Sequence, residues 1–107
     1  MKRIALALVS LLASCLCVAQ PYPNHAIRII VPFGPGGFTD VVARILQKEL
    51  APVLGQAIVI ENRAGAGSTI GTALVAKADP DGYTLVMIST THVISPHLYQ
   101  EMQYDAV

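Results

Sequence analysis

The stretch Arg28–Asp40, RIIVPFGPGGFTD, decides the fold that this sequence predicts. It opens with the apolar run Ile29–Val31, and a short apolar run bounded by proline is typical of a buried parallel strand. The glycines that follow allow a tight turn and a close approach of the backbone to a ligand. Thr39 and Asp40 then indicate a helix start, through a capping hydroxyl and a charge that suits the positive helix end. Because free backbone N–H groups at such an end form an anion site, we expect this loop to hold a carboxylate.

Two further units repeat the order of strand, polar loop and helix. Pro52 should end or kink the first helix, and Ser95 followed by Pro96 resembles a cap with proline at the first helical position. Helical spacing places five apolar residues of the first helix toward the core: Val41, Val42, Ile45, Leu46 and Leu50. The predicted elements are, in order, strand Ile27–Val31, helix Thr39–Ala51, strand Ala57–Glu61, a helix from Ser68 or Thr69 to about Ala78, strand Tyr83–Ile88, and a short helix over about His97–Glu101.

This order predicts an α/β fold, with a mainly parallel sheet and helices on both faces. In such sheets ligands bind beyond the carboxyl ends of the strands, where the strand order reverses. All three loops that follow the strands emerge at that edge, and each is rich in Gly, Ser, Thr or Asn. The loops span Phe33–Thr39, Asn62–Thr69 and Ser89–Ile94.

The first nineteen residues are typical of a secretory signal peptide, with a basic start, the apolar run Ile4–Leu12, and small residues up to Ala19. Cleavage after Ala19 by ordinary signal peptidase predicts a periplasmic protein. The segment Leu12–Cys15 also resembles a bacterial lipobox, which would attach a lipid to Cys15. Both processing routes are open from the sequence, and we favour the first.

Composition excludes several kinds of partner. The 107 residues carry no formal net charge, and cleavage after Ala19 leaves five basic and seven acidic side chains. No basic patch remains, which argues against a nucleic-acid partner. Both cysteines leave with the signal peptide, so the rest of the chain has no disulfide and no thiolate ligand. His92 and His97 lack the spacing of a helical metal pair, and we expect no metal site.

An enzyme is a weaker alternative. Gly65–Gly71 follows a strand and opens a helix, but its glycines do not have the G-x-G-x-x-G spacing, and the acidic residue expected about 20 positions later is missing. No G-x-S-x-G nucleophile motif occurs. We therefore expect no cofactor and no catalysis, although a nucleotide-dependent oxidoreductase or a hydrolase on an α/β sheet stays open.

Four segments resemble the substrate-binding receptors of tripartite tricarboxylate transporters, also called Bug receptors: IRIIVPFGPGGFTDVVAR, IENRAGAGSTIGTALVAKADPDGYTLVM, THVISPHLY and YDAV. The resemblance implies a lobe like those of class II periplasmic binding proteins, which hold the ligand between two lobes. It implies a small carboxylate ligand, namely a dicarboxylate, a tricarboxylate, an acidic amino acid or an aromatic acid. It also implies membrane permease subunits as partners.

The resemblance carries ligand-binding positions over to all three loops. Phe38 departs from the small residue that many members have there, and we expect it to narrow the pocket. The implied ligand-binding residues are Phe33, Gly36, Gly37, Thr39 and Asp40 in the first loop, Gly65, Gly67 and Ser68 in the second, and Ser89, Thr90, Thr91 and His92 in the third.

Receptors of this family are much longer than this chain. The resemblance therefore implies that residues 20–107 are the N-terminal part of the first lobe, with the second lobe absent and residues 1–19 as the signal peptide. We expect such a chain to be marginally stable and to bind its ligand weakly. A truncated remnant without function is the remaining alternative.

Overall fold

The computed structural model describes residues 20–105 of the chain, and it confirms the α/β class. The predicted signal peptide and the alternative lipidation site at Cys15 lie outside the described residues. No helix within the described range is long and apolar enough to cross a membrane. The elements are β1 (Ile27–Val31), α1 (Phe38–Leu54), β2 (Ile58–Asn62), a 3-10 turn (Ala66–Ser68), α2 (Thr69–Ala76), β3 (Thr84–Val86) and α3 (Thr91–Leu98).

The central strand β1 pairs in parallel with β2 on one side and with β3 on the other, in the order β2-β1-β3. Successive side chains of a strand point to opposite faces. Ile29 and Ile30 therefore lie on different faces of β1, and their exposed fractions are 7% and 0%. Both faces of the central strand are thus covered, as a parallel sheet requires.

Helix α1 packs against the face of the sheet that carries Ile27, Ile29 and Ile58, through Ala51 and Leu54. The predicted inner face of this helix is wrong. Of the five residues predicted to face the core, Val41, Ile45, Leu46 and Leu50 are exposed and only Val42 is half-buried.

The residues that turn inward on α1 are polar or small. Asp40 and Ala43 are buried, and the side-chain amide of Gln47 donates to the carbonyl of Ile58 at 2.6 Å. Polar contacts to β2 therefore set the rotation of α1 about its axis, and its apolar spacing does not reveal that rotation.

Proline does not mark the helix boundaries as predicted. Pro52 lies within α1, which continues to Leu54 and ends at Gly55, a left-handed residue with φ of 67°. The missing N–H of Pro52 costs the helix one hydrogen bond, and only Val53 and Leu54 follow Pro52 before the helix ends. Glycine readily adopts the left-handed conformation that ends a helix.

The third helix also begins earlier than predicted, at Thr91, so Ser95 and Pro96 lie inside it. The Ser95 hydroxyl donates to the carbonyl of Thr91 at 2.7 Å. A serine inside a helix commonly bonds back to the carbonyl four residues earlier, and this explains why Ser95 does not act as a cap. Strand β3 is shorter than predicted and spans Thr84–Val86.

Close packing of α2 on the loop after β1 depends on Gly71. A Cβ at this position would lie 2.7 Å from the carbonyl oxygen of Arg63 and 2.8 Å from Cβ of Pro32. The first of these atoms belongs to the backbone at the end of β2, so it cannot move aside without shifting the strand. Gly71 is therefore required by the approach of α2 to β1 and β2.

We predict that Gly71→Ala lowers the free energy of unfolding by about 1–3 kcal/mol, the usual cost of overpacking a close contact. Gly34→Ala is the matched control, because a Cβ at Gly34 meets nothing within 4 Å. Urea denaturation followed by circular dichroism measures both variants. Equal stability of the two variants would contradict the packing that the structure assigns to Gly71.

Candidate functional site

The strand order brings the first and third loops to a single crevice. The chain leaves β1 for β2 on one side and then returns to β3 on the other. This reversal is the switch point at which ligands bind in open parallel sheets. A cavity of about 300 Å³ lies there, lined by Phe38, Thr39, Val42, Met87, Ile88, Ser89 and Thr90.

The first loop is held in place by the carboxylate of Asp40, a residue that is only 2% exposed. Its Oδ2 accepts the backbone N–H of Gly36 and Nε of Arg44, both at 2.9 Å. Its Oδ1 accepts the side-chain amide of Asn62 at 2.9 Å, and the same amide donates to the carbonyl of Phe33 at 3.1 Å. These contacts bind the loop, the start of α1 and the end of β2 to one another.

These donors also set the ionisation of Asp40. The guanidinium of Arg44, then the N–H of Gly36 and the amide of Asn62, lower the pKa of this carboxyl from 3.8 to about 2. Each of them donates to the charged form and so favours it. Asp40 is therefore ionised and fully engaged, which suits a supporting role better than proton transfer.

The second and third loops are joined by hydroxyl groups. Oγ1 of Thr91 lies 2.8 Å from Oγ of Ser89 and 3.4 Å from Oγ of Ser68. The Ser95 hydroxyl also reaches the carbonyl of Gly67 at 3.5 Å. The start of α3 is thus fixed against the turn that precedes α2.

Cations near the rim are already paired. Arg44 is bound to Asp40, and Arg63 is bound to Glu61, which also pairs with Nε of Arg28 at 2.9 Å. Within residues 20–105 there is no group of three His, Cys, Asp or Glu side chains that could hold a metal ion. The donors that the described rim offers to an anion are therefore hydroxyls and backbone N–H groups.

A family model described as the tripartite tricarboxylate transporter family receptor matches residues 42–107. The chain belongs to this family. A UPF0065 protein of Bordetella pertussis is 41% identical over 105 residues, which are 97% of this chain and 32% of that protein. Protein BugT of the same organism is 53% identical over 73 residues, which are 68% of this chain and 22% of BugT.

Solved structures of family members confirm the fold of a periplasmic binding protein. The periplasmic binding protein BugD matches with a TM-score of 0.76 and 44% identity, over 79% of this chain and 28% of BugD. MatC from Rhodopseudomonas palustris with bound malate matches with a TM-score of 0.73 and 41% identity, over 79% of this chain and 29% of MatC. The chain thus spans less than a third of the length of each of these relatives.

Of the ligand-binding residues predicted from the receptor family, Thr39, Ser89 and Thr90 line the cavity at the switch point. The hydroxyl of Ser89 is bonded to Thr91, whereas the hydroxyls of Thr39 and Thr90 have no partner among residues 20–105. These two hydroxyls come from different loops and are available to a ligand. They are the strongest candidates among the predicted residues.

The other predicted residues lie at the same edge of the sheet in different roles. Gly67 lies beneath the Tyr99 ring and borders a separate cavity of about 70 Å³. His92 stacks on Tyr104 with ring centroids 5.7 Å apart, and neither residue lines the cavity at the switch point.

Gly37 precedes α1, and Gly65 precedes the 3-10 turn. The backbone and side-chain networks described above hold Phe33, Gly36, Asp40, Ser68 and Thr91.

Sequence reasoning missed two kinds of residue at this candidate site. Asn62 joins the first loop to β2, and only its position at the end of a strand pointed to such a role. The cavity also has an apolar wall, of which Phe38 alone was singled out, as a departure from the family pattern. The wall consists of Phe38, Val42, Met87 and Ile88.

The lowered pKa of Asp40 predicts a specific dependence of stability on pH. Above about pH 5 both the folded and the unfolded states are almost fully ionised at this residue, so its contribution is constant. As the pH falls from about 5 toward 2, the unfolded state takes up a proton before the folded state does, and stability is lost. We predict that Asp40→Asn is less stable than the parent at pH 6 and that the difference narrows toward pH 2.

Thermal unfolding between pH 2 and pH 6, followed by circular dichroism, measures this difference. Asp79→Asn is the control, since Asp79 is an exposed carboxylate in the turn before β3. Its unfolding temperature should follow that of the parent across the range. Parallel curves for Asp40→Asn and the parent would disprove the assigned network.

Proposed function

We propose that this chain forms part of an extracytoplasmic receptor that binds a small carboxylate and does not transform it. The observation that carries the proposal is the cavity at the switch point, where the unpartnered hydroxyls of Thr39 and Thr90 approach from two loops. A cavity of about 300 Å³ lies at the lower end of the range for small-molecule sites. Membership of a family of transport receptors supports binding without catalysis.

Helix starts on both sides of the cavity supply further donors. The first helical hydrogen bond of α1 runs from the N–H of Val41 to the carbonyl of Gly37. The backbone N–H groups of Phe38 and Thr39 therefore have no acceptor within the helix. Thr91 begins α3 on the opposite side of the cavity. Positive helix ends on both sides favour an anion between them.

Related receptors support the class of ligand. MatC from Rhodopseudomonas palustris has malate bound, and another protein of that organism, 35% identical with a TM-score of 0.69, is known with adipate. Both ligands are dicarboxylic acids. Because the cations at the rim of this chain are paired, we infer that its carboxylate is held by neutral donors, namely N–H and hydroxyl groups.

The domain and location assignments rest on the same family membership. We propose that residues 1–19 are a signal peptide and that residues 20–107 form the N-terminal part of the first ligand-binding lobe. BugD is a periplasmic binding protein, which supports a periplasmic location for this chain. The family description further supports membrane permease subunits of a tripartite transporter as partners.

Titration of the 107-residue chain with adipate, followed by amide NMR, tests the proposed function. We expect saturable shifts at Phe38, Thr39, Thr90 and Thr91, with a dissociation constant of about 1 mM or weaker. Binding should be weak because Thr90 is exposed, whereas tight pockets enclose most of a ligand. Adipamide is the matched control, since it has the same carbon chain without charge. Equal shifts with the amide, or none with the acid, would refute the proposal.

We also predict that Thr90→Val weakens adipate binding about tenfold. A hydrogen bond to a charged group contributes about 1.5–3 kcal/mol, and valine removes the hydroxyl while keeping the shape of the side chain. Thr84→Val makes the same chemical change at the start of β3, away from the cavity. Calorimetry compares the two variants, and similar affinities would exclude Thr90 from the site.

A further inference from the structure

The cavity at the switch point has two chemically different sides. Its polar side consists of Thr39, Ser89 and Thr90, and the residues that complete it are Phe38, Val42, Met87 and Ile88. None of these seven residues carries a charge. A ligand whose acid group meets the hydroxyls therefore places the rest of its body against hydrocarbon and an aromatic ring.

Phe38 is the most exposed residue of this apolar wall. It is the first residue of α1 and is 86% exposed, and its ring stacks on no other aromatic ring in residues 20–105. Ile88, on the third loop, is also exposed. Apolar and aromatic side chains that line a cavity beside a few polar groups are typical of small-molecule sites. An aromatic ring at the mouth of a cavity can stack on a flat ligand or cover a hydrocarbon chain.

Hydroxyl or carboxyl groups on the body of the ligand do not suit this wall. A polar group that leaves water without gaining a hydrogen bond loses free energy, and an unpaired charge loses more. Resting on the proposed function, we propose that the preferred ligand is a monocarboxylate with an apolar body, either an aromatic ring or a hydrocarbon chain. Phe38 is the residue that determines this specificity.

Four small acids test the inference on the 107-residue chain by calorimetry or amide NMR. Phenylacetate and hexanoate have apolar bodies with an aromatic ring and an alkyl chain, whereas malate and citrate carry hydroxyl and further carboxyl groups. We expect at least one of the apolar acids to bind about tenfold more tightly than malate, because it covers part of the exposed Phe38 ring. Whichever of phenylacetate and hexanoate binds more tightly shows whether an aromatic ring or an alkyl chain is the preferred apolar body of the ligand.

Variants at Phe38 separate its role from general stability. Phe38→Ala should lose the tenfold preference, because the affinity for the apolar acids falls more than the affinity for malate, whereas Phe38→Leu should keep most of the preference for hexanoate. Because the side chain is exposed, neither change removes a core contact. Val53→Ala, at an exposed apolar position near the other end of α1, is the matched control and should keep the preference.

The outcomes distinguish this inference from the function on which it rests. If malate or citrate binds as tightly as the apolar acids, or if Phe38→Ala keeps the preference, the specificity inference is overturned and carboxylate binding stands. If none of the four acids shifts the amide signals of the first and third loops, both the specificity inference and the proposed carboxylate binding are refuted. A preference that depends on Phe38 and not on Val53 supports the inference.

Discussion

The carboxylate of Asp40 joins three pieces of chain that are separate in the sequence. It accepts the N–H of Gly36 in the first loop, the guanidinium of Arg44 one turn further along α1, and the amide of Asn62 at the end of β2. A buried carboxylate is tolerated because each oxygen has at least one donor. The same contacts fix the rotation of α1, and with it the positions of the first helical residues around the cavity. The rim depends on this one buried charge.

The order of the strands in the sheet positions the loops around the cavity. Strand β1 is central, with β2 on one side and β3 on the other. The loops after β1 and β3 therefore meet at the point where the strand order reverses. The loop after β2 reaches the same edge and supports the start of α3 through the contact between Ser68 and Thr91. Two helix starts and two free hydroxyls therefore converge at a cavity whose lining, within residues 20–105, includes no cation. Neutral donors of this kind can stabilise an anion and still release it, which suits the receptor function proposed above.

The strands, the glycine-rich loops and their shared edge of the sheet can be predicted from the sequence, because apolar runs and turn residues are local features. The face that α1 turns inward cannot be predicted in this way. Apolar spacing favoured Val41 and Ile45, but the contact that decides the rotation joins Asp40 to Asn62, residues 22 positions apart. The predicted start of α3 is wrong for a different, local reason, since Ser95 bonds to the carbonyl of Thr91 within the helix and does not cap it. The apolar wall combines Phe38 with Met87 and Ile88, and only the folded sheet brings them together.

Neighbouring residues in the first turn of α1 have different roles. Successive residues of an α-helix are about 100° apart around its axis, so positions 38 and 40 point in roughly opposite directions. Asp40 is buried against the sheet and Phe38 is exposed at the cavity, as this geometry requires. Thr39 lies between them and lines the cavity with a hydroxyl. A substitution at position 38 can therefore change the surface that meets the body of the proposed ligand, while Asp40 keeps the loop in place and Thr39 keeps its hydroxyl at the cavity. In the proposed receptor the donors to the acid group are positioned by the network around Asp40, whereas selectivity depends on a side chain that is exposed and takes no part in the core.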